Sequence, residues 1–105
     1  MKKNETNLLL VHSHQPPTVE IDQAASSIYI RFKRGRVART IRHQSKWPLV
    51  TVDLDADGDV LGVECVGVKR FNLPGVLKTA HVQAPAEAVT RADFQFASSP
   101  QPAEV

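Results

Sequence analysis

The stretch from Leu49 to Val66 constrains the fold most, because it places Asp57-Gly58 between two apolar segments. Asp-Gly is a favoured pair for a two-residue β-hairpin loop, since it tolerates the positive φ angles that such a turn needs. On one face of the hairpin, a loop at this point sets apolar residues opposite one another: Leu54 with Leu61, Val52 with Val63, and Val50 with Cys65. The alternate positions are almost all polar or small, so the register and the hydrophobic pattern agree on a hairpin with one buried face.

The same stretch also matches the calcium loop of an EF-hand. That loop needs carboxylates at its first, third and fifth positions, glycine at the sixth and glutamate at the twelfth. The matching residues are Asp53, Asp55, Asp57, Gly58 and Glu64. However, an EF-hand loop lies between helices, whereas the flanks here are rich in β-branched residues. In the hairpin, Asp53 and Glu64 become diagonal neighbours about 7–8 Å apart, too spread to wrap one ion. We therefore favour the hairpin and predict no metal site, with the calcium loop as the alternative.

The segment before this stretch predicts a second hairpin. Residues 28–33 alternate between apolar and polar, and Arg34-Gly35 offers a two-residue turn into a return strand at residues 37–42. This register sets Arg39 opposite Ile30, on the face meant for the core. A charge is acceptable there if the strand lies at a sheet edge or if a bulge shifts it.

Further along, the hydrophobic period changes from that of a strand to that of a helix. Asn72 is a favoured helix N-cap, and Pro74 is tolerated in a first turn. The apolar residues that follow share one helical face: Leu73, Val76, Leu77 and Ala80. The sequence therefore predicts an α+β fold, with a small antiparallel β-meander of about five strands and one short C-terminal helix packed on one face.

The chain has 105 residues, which is enough for one small domain. We expect a flexible N-terminal segment at residues 1–17, a single α+β domain at residues 18–81, and a partly disordered Pro/Ala-rich extension at residues 82–105. Within the extension, Phe94 and Phe96 stand at strand spacing. The single cysteine, Cys65, allows no intrachain disulfide, which predicts a cytoplasmic protein, and it is expected to face the core opposite Val50. The apolar run near the N-terminus is too short for a membrane span.

Charge is distributed unevenly along the chain, although the net charge is only +2. Residues 23–52 contain basic residues and no acid, whereas residues 53–64 contain acids and no base. The basic half supplies a candidate interaction surface: Arg31, Lys33, Arg34, Arg36, Arg42, Lys46 and Trp47. Such a surface fits an acidic protein partner, the acidic turn of a second subunit, or the phosphates of a nucleic acid.

Two blocks of sequence resemble a family of small bacterial proteins known as domain of unknown function 2283. The first is Ile21-Asp22 followed by residues 27–32, and the more specific second block runs from Val52 to Glu64 with its Asp-x-Asp-x-x-Gly turn. The resemblance implies a compact antiparallel sheet with a helix, and no established activity. It also implies an antitoxin-like role, because genes of this family often neighbour small toxin genes. In this chain Ser26 stands where the family usually has a second aspartate in its first loop.

The pattern of chemically active residues does not indicate a reaction. No cluster of Ser, His and acid marks a nucleophile, and no Gly-rich loop marks a phosphate site. We therefore predict a non-enzymatic protein-interaction domain without a cofactor. A core from about 60 residues is marginal and leaves one sheet face for another molecule, so we expect a homodimer or a protein partner. The alternatives are nucleic-acid binding through the Arg/Lys-rich strands, and an antitoxin-like partner of a small toxin that binds through the acidic turn.

Overall fold

The predicted α+β class is confirmed by a computed structural model, which describes residues 8–44, 48–67 and 70–96. The described strands and helices outnumber those predicted: β1 (Leu9–Leu10), β2 (Thr18–Asp22), β3 (Ser27–Arg31), β4 (Arg39–Gln44), β5 (Leu49–Leu54), β6 (Val60–Val66), α1 (Leu73–Thr79), β7 (Val82–Gln83), α2 (Ala86–Thr90) and β8 (Asp93–Phe96). Six of these strands form one mainly antiparallel sheet in the order β4-β5-β6-β3-β2-β8, and β1 pairs with β7 in a small parallel sheet.

The hairpin of β5 and β6 has the predicted register over most of its length. Two predicted pairs are confirmed: Val50 with Cys65, and Val52 with Val63. Near the turn a bulge shifts the register, so that Leu54 pairs with Val60 instead of Leu61. The predicted two-residue loop is therefore wrong. Asp55 N–H donates to the Asp59 carbonyl at 3.0 Å, and Gly58 adopts a φ of +86°, which makes a longer turn with glycine in the left-handed region.

The predicted hairpin at Arg34-Gly35 is wrong, because β3 and β4 are not neighbours. Strand β3 pairs with β6, where Ile30 faces Val63, and β4 pairs with the far side of β5. This arrangement gives Ile30 an apolar partner instead of Arg39. Arg39 is exposed and lies on the edge strand of the sheet, which was one of the two arrangements predicted to accept a charge at this position. Strands β3, β4, β5 and β6 form a Greek key, in which the long connection joins β3 to β4.

Regular elements lie on both sides of the segment 18–81 that the sequence marked as the domain. Strand β8 runs parallel to β2, with Val19 opposite Phe94 and Ile21 opposite Phe96. Near the other end of the chain, Leu9 N–H donates to the His81 carbonyl at 2.8 Å and joins β1 to β7. Residues 8–17 and 82–96 are thus connected to the same framework as the central strands.

The predicted helix forms at α1, and its N-cap is confirmed. Asn72 Oδ1 accepts a hydrogen bond from Gly75 N–H at 2.8 Å, which satisfies one of the free donors of the first turn. The predicted apolar face packs on the sheet and is buried, with Ala80 fully inaccessible. The core face of the sheet consists of these inward residues: Val19, Ile28, Ile30, Val50, Val52, Leu54, Val60, Val63 and Cys65. Among the described residues, no helix has the length and hydropathy of a membrane span.

Candidate interaction surface

Residues 32–38 form an arch that carries the chain from β3 around the end of the β5–β6 hairpin to β4. Phe32 and Lys33 N–H both donate to the Leu61 carbonyl, at 2.8 and 3.2 Å, and fix the start of the arch. Ala38 N–H donates to the Leu54 carbonyl at 2.8 Å and fixes its end. Both ends of the arch are therefore attached to the hairpin by the backbone.

Leu61, the extra residue of the bulge, lies beneath this arch and is only 1% exposed. A Cβ atom added to Gly35 would lie 2.9 Å from Leu61 Cδ2, so a side chain at residue 35 would force the end of the Leu61 side chain to shift. The Arg34-Gly35 pair thus has a structural use different from the predicted turn. Its glycine allows a close approach over a buried leucine.

The acidic turn, residues 55–59, is organised around the side chain of Asp55. Asp55 Oδ1 accepts hydrogen bonds from Asp57 N–H and Asp59 N–H, each at 2.9 Å. The arch supplies a cation to the same turn, because Lys33 Nζ contacts Asp55 Oδ2 at 2.7 Å and Asp59 Oδ2 at 2.9 Å. The hydrogen bond from Lys33, followed by those from the backbone, lowers the pKa of the Asp55 carboxyl. Two of the three carboxylates in the turn therefore already have a partner within the chain.

The alternative calcium ligands are divided between this turn and the strands. Ligand oxygens of Asp55, Asp57 and Asp59 lie within 4.8 Å of one another, whereas Asp53 and Glu64 are not part of this group. Asp53 is held elsewhere, since its two carboxylate oxygens accept hydrogen bonds from two neutral hydroxyl groups. The structure therefore does not gather the EF-hand residues around one point.

The face of the sheet opposite the core carries a polar network centred on Asp53. Tyr29 Oη donates to Asp53 Oδ2 at 3.0 Å, and Thr40 Oγ1 donates to Asp53 Oδ1 at 2.7 Å. The Tyr29 ring reaches Asp53 across Gly62, where a Cβ atom would collide with the ring. Burial, and then the hydrogen bond to Asp53, raise the pKa of Tyr29. This network links β3, β4 and β5 across the polar face.

The predicted basic surface divides into paired and unpaired side chains. Arg31 forms a bidentate pair with Glu20, with Nε–Oε2 and Nη2–Oε1 distances of 3.0 and 3.2 Å, and its guanidinium lies 5.0 Å from the Tyr29 ring centroid. Lys33 is held by the acidic turn. Both cations are therefore used within the fold. Lys46 and Trp47, two further members of the predicted surface, lie outside the described residues.

Three exposed arginines of the predicted surface remain, and exposed Arg39 lies among them. We call these four residues the arginine edge: Arg34, Arg36, Arg39 and Arg42. Two lie on the arch and two on β4, the edge strand of the sheet. Within residues 8–44, 48–67 and 70–96, none of the four forms an ion pair. Arg39 and Arg42 project to opposite faces of β4, so positive charge surrounds this edge. The sequence prediction included Arg34, Arg36 and Arg42, but treated Arg39 only as a misfit.

Other chemically active side chains lie apart from the arginine edge. Cys65 is buried opposite Val50 as predicted, and burial raises the pKa of its thiol. His43 and His81 meet edge to face, with ring centroids 4.8 Å apart. His43 Nε2 is buried without a hydrogen-bond partner in the described part of the chain. Burial, and then the proximity of His81, lower the pKa of His43.

An apolar groove of about 650 Å³ lies between α1, β7 and α2. Its described polar lining is limited to Lys78, His81, Gln83 and Thr90, and no carboxylate is present among the lining residues.

Comparison with known proteins returns no match, whether against protein-family models, curated proteins or solved structures.

Proposed function

We propose that this chain is a non-enzymatic protein-interaction domain that acts as a homodimer and binds an acidic partner surface through the arginine edge. The observation that carries the proposal is the contrast among the cations of residues 31–42. Arg31 and Lys33 each have a carboxylate partner within the fold, whereas the four arginines of the edge are exposed and have none among the described residues.

The chemistry of the edge favours carboxylates on another molecule. A guanidinium group presents donors in a planar fork that matches a carboxylate, and it loses less hydration than an ammonium group when it is paired. The acidic turn of a second subunit is a poorer partner, because Lys33 of its own chain already holds Asp55 and Asp59. The partner proposed for the edge is therefore an acidic protein distinct from this chain.

The test uses poly-glutamate as the acidic probe, with binding measured by titration calorimetry at low and moderate salt. The double variant Arg34→Glu/Arg36→Glu should bind at least about tenfold more weakly, because attraction becomes repulsion at two positions. The matched control is Arg70→Glu/Lys78→Glu, which makes the same charge change at two exposed residues away from the arch. Equal loss in both variants would show a general charge effect and would overturn the assignment to the arginine edge.

Nucleic-acid binding is the second candidate, and the same four unpaired cations favour it. A labelled DNA duplex and a single-stranded RNA, titrated at the same salt concentrations, distinguish the two functions. A nucleic acid that binds more tightly than poly-glutamate, with an affinity that falls steeply as salt is raised, would favour this candidate. Unchanged mobility of both nucleic acids at low salt would remove it.

A further inference from the structure

We infer that β8 is the dimer interface, and that two copies of the chain pair their β8 strands antiparallel about a two-fold axis at Gln95. The inference rests on the self-association in the proposed function and identifies the surface that produces it. The two six-stranded sheets would then continue into each other through β8.

The two edges of the sheet differ in how they are protected against pairing. Strand β4 carries Arg39 and Arg42 and has an irregular register after Arg42, and charge and bulges both discourage the addition of a strand. Strand β8 contains no Lys, Arg or Pro, and all four of its residues are exposed. Phe94 and Phe96 are 50% and 65% exposed, and few large apolar side chains of the described residues are as accessible. As far as residues 8–44, 48–67 and 70–96 show, the β8 edge is therefore the one open to a partner.

The backbone of β8 determines which residues a partner strand can meet. Asp93 N–H donates to the Pro17 carbonyl at 2.9 Å, so the backbone polar groups of Asp93 point toward β2. Successive residues in a strand point these groups to opposite sides. Those of Phe94 and Phe96 consequently point away from the sheet, where no described strand lies.

Only one antiparallel register uses both outward-facing residues within β8. When Gln95 lies opposite Gln95 of the second copy, Phe94 lies opposite Phe96 of that copy, and the two-fold axis repeats the pair. Each pair exchanges two N–H···O bonds, so four backbone hydrogen bonds form. A shift of one residue sets outward-facing groups against inward-facing ones. A shift of two residues leaves only one hydrogen-bonded pair within β8.

The side chains support the same register and explain why the partner is a second copy. Phe94 and Phe96 lie on the core face, because they are opposite Val19 and Ile21. The symmetric register brings four phenylalanine rings together on that face, and Phe71 already packs edge to face with Phe94 at a centroid distance of 6.0 Å. Phe-Gln-Phe is thus its own complement. The two Asp93 carboxylates lie at opposite ends of the interface and do not repel each other.

The first experiment measures mass by light scattering and sedimentation over a wide concentration range. The wild-type chain should be a dimer, and Phe96→Lys should raise the dimer dissociation constant at least about tenfold, because a charge is placed at an apolar contact. The matched control, Val37→Lys, changes another exposed apolar residue on the arch and should remain dimeric.

The second experiment is a cross-link that reports the register directly. In the inferred pairing the two Gln95 residues form a non-hydrogen-bonded pair with closely spaced Cα atoms, within the range that a disulfide spans. Gln95→Cys should therefore give a covalent dimer with oxidised glutathione, whereas Gln23→Cys in an exposed loop should not. Cys65 is buried and should not compete.

The outcomes separate this inference from the proposed function. A lone monomer at high concentration would overturn both the β8 interface and the homodimer. A dimer that survives Phe96→Lys, and that Gln95→Cys does not cross-link, would overturn the β8 interface alone. Circular dichroism of each variant checks that the chain is still folded.

Discussion

The ring of Tyr29 lies on the backbone of Gly62, and from that position its hydroxyl donates to Asp53 at 3.0 Å. Three strands are joined by this one contact, since Tyr29 belongs to β3, Gly62 to β6 and Asp53 to β5. The absence of a side chain at residue 62 is what allows the ring to cross the intervening strand. At this contact the polar face of the sheet therefore combines close packing with a hydrogen bond between strands.

We expect Gly62→Ala to destabilise the protein by about 1–3 kcal/mol, although alanine is otherwise acceptable in a strand, because the new Cβ displaces the Tyr29 ring. Tyr29→Phe keeps the ring and loses only the hydroxyl group, so its cost should be about 1 kcal/mol. Urea denaturation measures both changes.

A double-mutant cycle provides the control for the same contact. In a Tyr29→Ala background, Gly62→Ala should cost much less than in the wild type, because no ring remains to be displaced. Equal costs in the two backgrounds would show that Gly62 is required for its backbone and not for the tyrosine.

The second prediction concerns the bond between the arch and the acidic turn. Lys33→Met should destabilise the protein at neutral pH and low salt, because Asp55 and Asp59 lose their cation. The folded-state pKa of Asp55 is below its ordinary 3.8, so this contribution is present above pH 3.8 and is lost as pH falls through the folded-state value. The difference between variant and wild type in chemical denaturation should therefore shrink in acid and in high salt. A difference that is independent of both would contradict an electrostatic role.

The third prediction concerns His43, which is less readily protonated in the folded state than in the unfolded chain. Because burial and His81 lower its pKa below 6.5, the unfolded chain binds more protons just below that pH. The contribution of His43 to the free energy of unfolding should not change with pH above 6.5. It should decrease as pH falls from 6.5 toward the folded-state pKa. His43→Phe keeps an aromatic ring against His81 and should flatten this part of the stability profile.

The fourth prediction concerns the helix cap. Asn72→Ala removes the acceptor for Gly75 N–H and should cost about 1 kcal/mol, or a decrease in Tm of roughly 4–8 °C for a domain of this size. Asn72→Asp keeps an acceptor oxygen and should retain most of the stability. If both substitutions lower Tm equally, the side-chain hydrogen bond is not the stabilising contact.

Local pattern was sufficient for the parts of the fold that neighbouring residues determine. The β5–β6 register at Val52 and Val63 and the cap at Asn72 were both predicted, because each depends on residues close together in the chain, within one hairpin or one helical turn. The closing turn differed, since Asp55 binds two backbone N–H groups with its side chain and so extends the loop. Hydrophobic alternation does not report such a bond.

The order of the strands was beyond local pattern. Arg34-Gly35 resembles a hairpin turn in isolation, but the choice between β4 and β6 as the neighbour of β3 depends on residues about thirty positions away. Arg39 opposite Ile30 was the one local sign of that choice. The division of the basic surface was equally hidden, because Asp59, which holds Lys33, comes from a hairpin 26 residues further along the chain. Sequence alone identifies the cations but not which of them remain unpaired.

The Greek-key order has a consequence for how the chain is made. Strand β3 pairs with β6, and β2 pairs with β8. Both β6 and β8 follow β4 and β5 in the chain, so they are synthesised later. During translation, Ile28 and Ile30 are therefore made well before Cys65 and Val63, the residues with which they pair. Until β6 is made, one edge of β3 lacks its partner, and unpaired strand edges of this kind make a partly folded chain prone to aggregation.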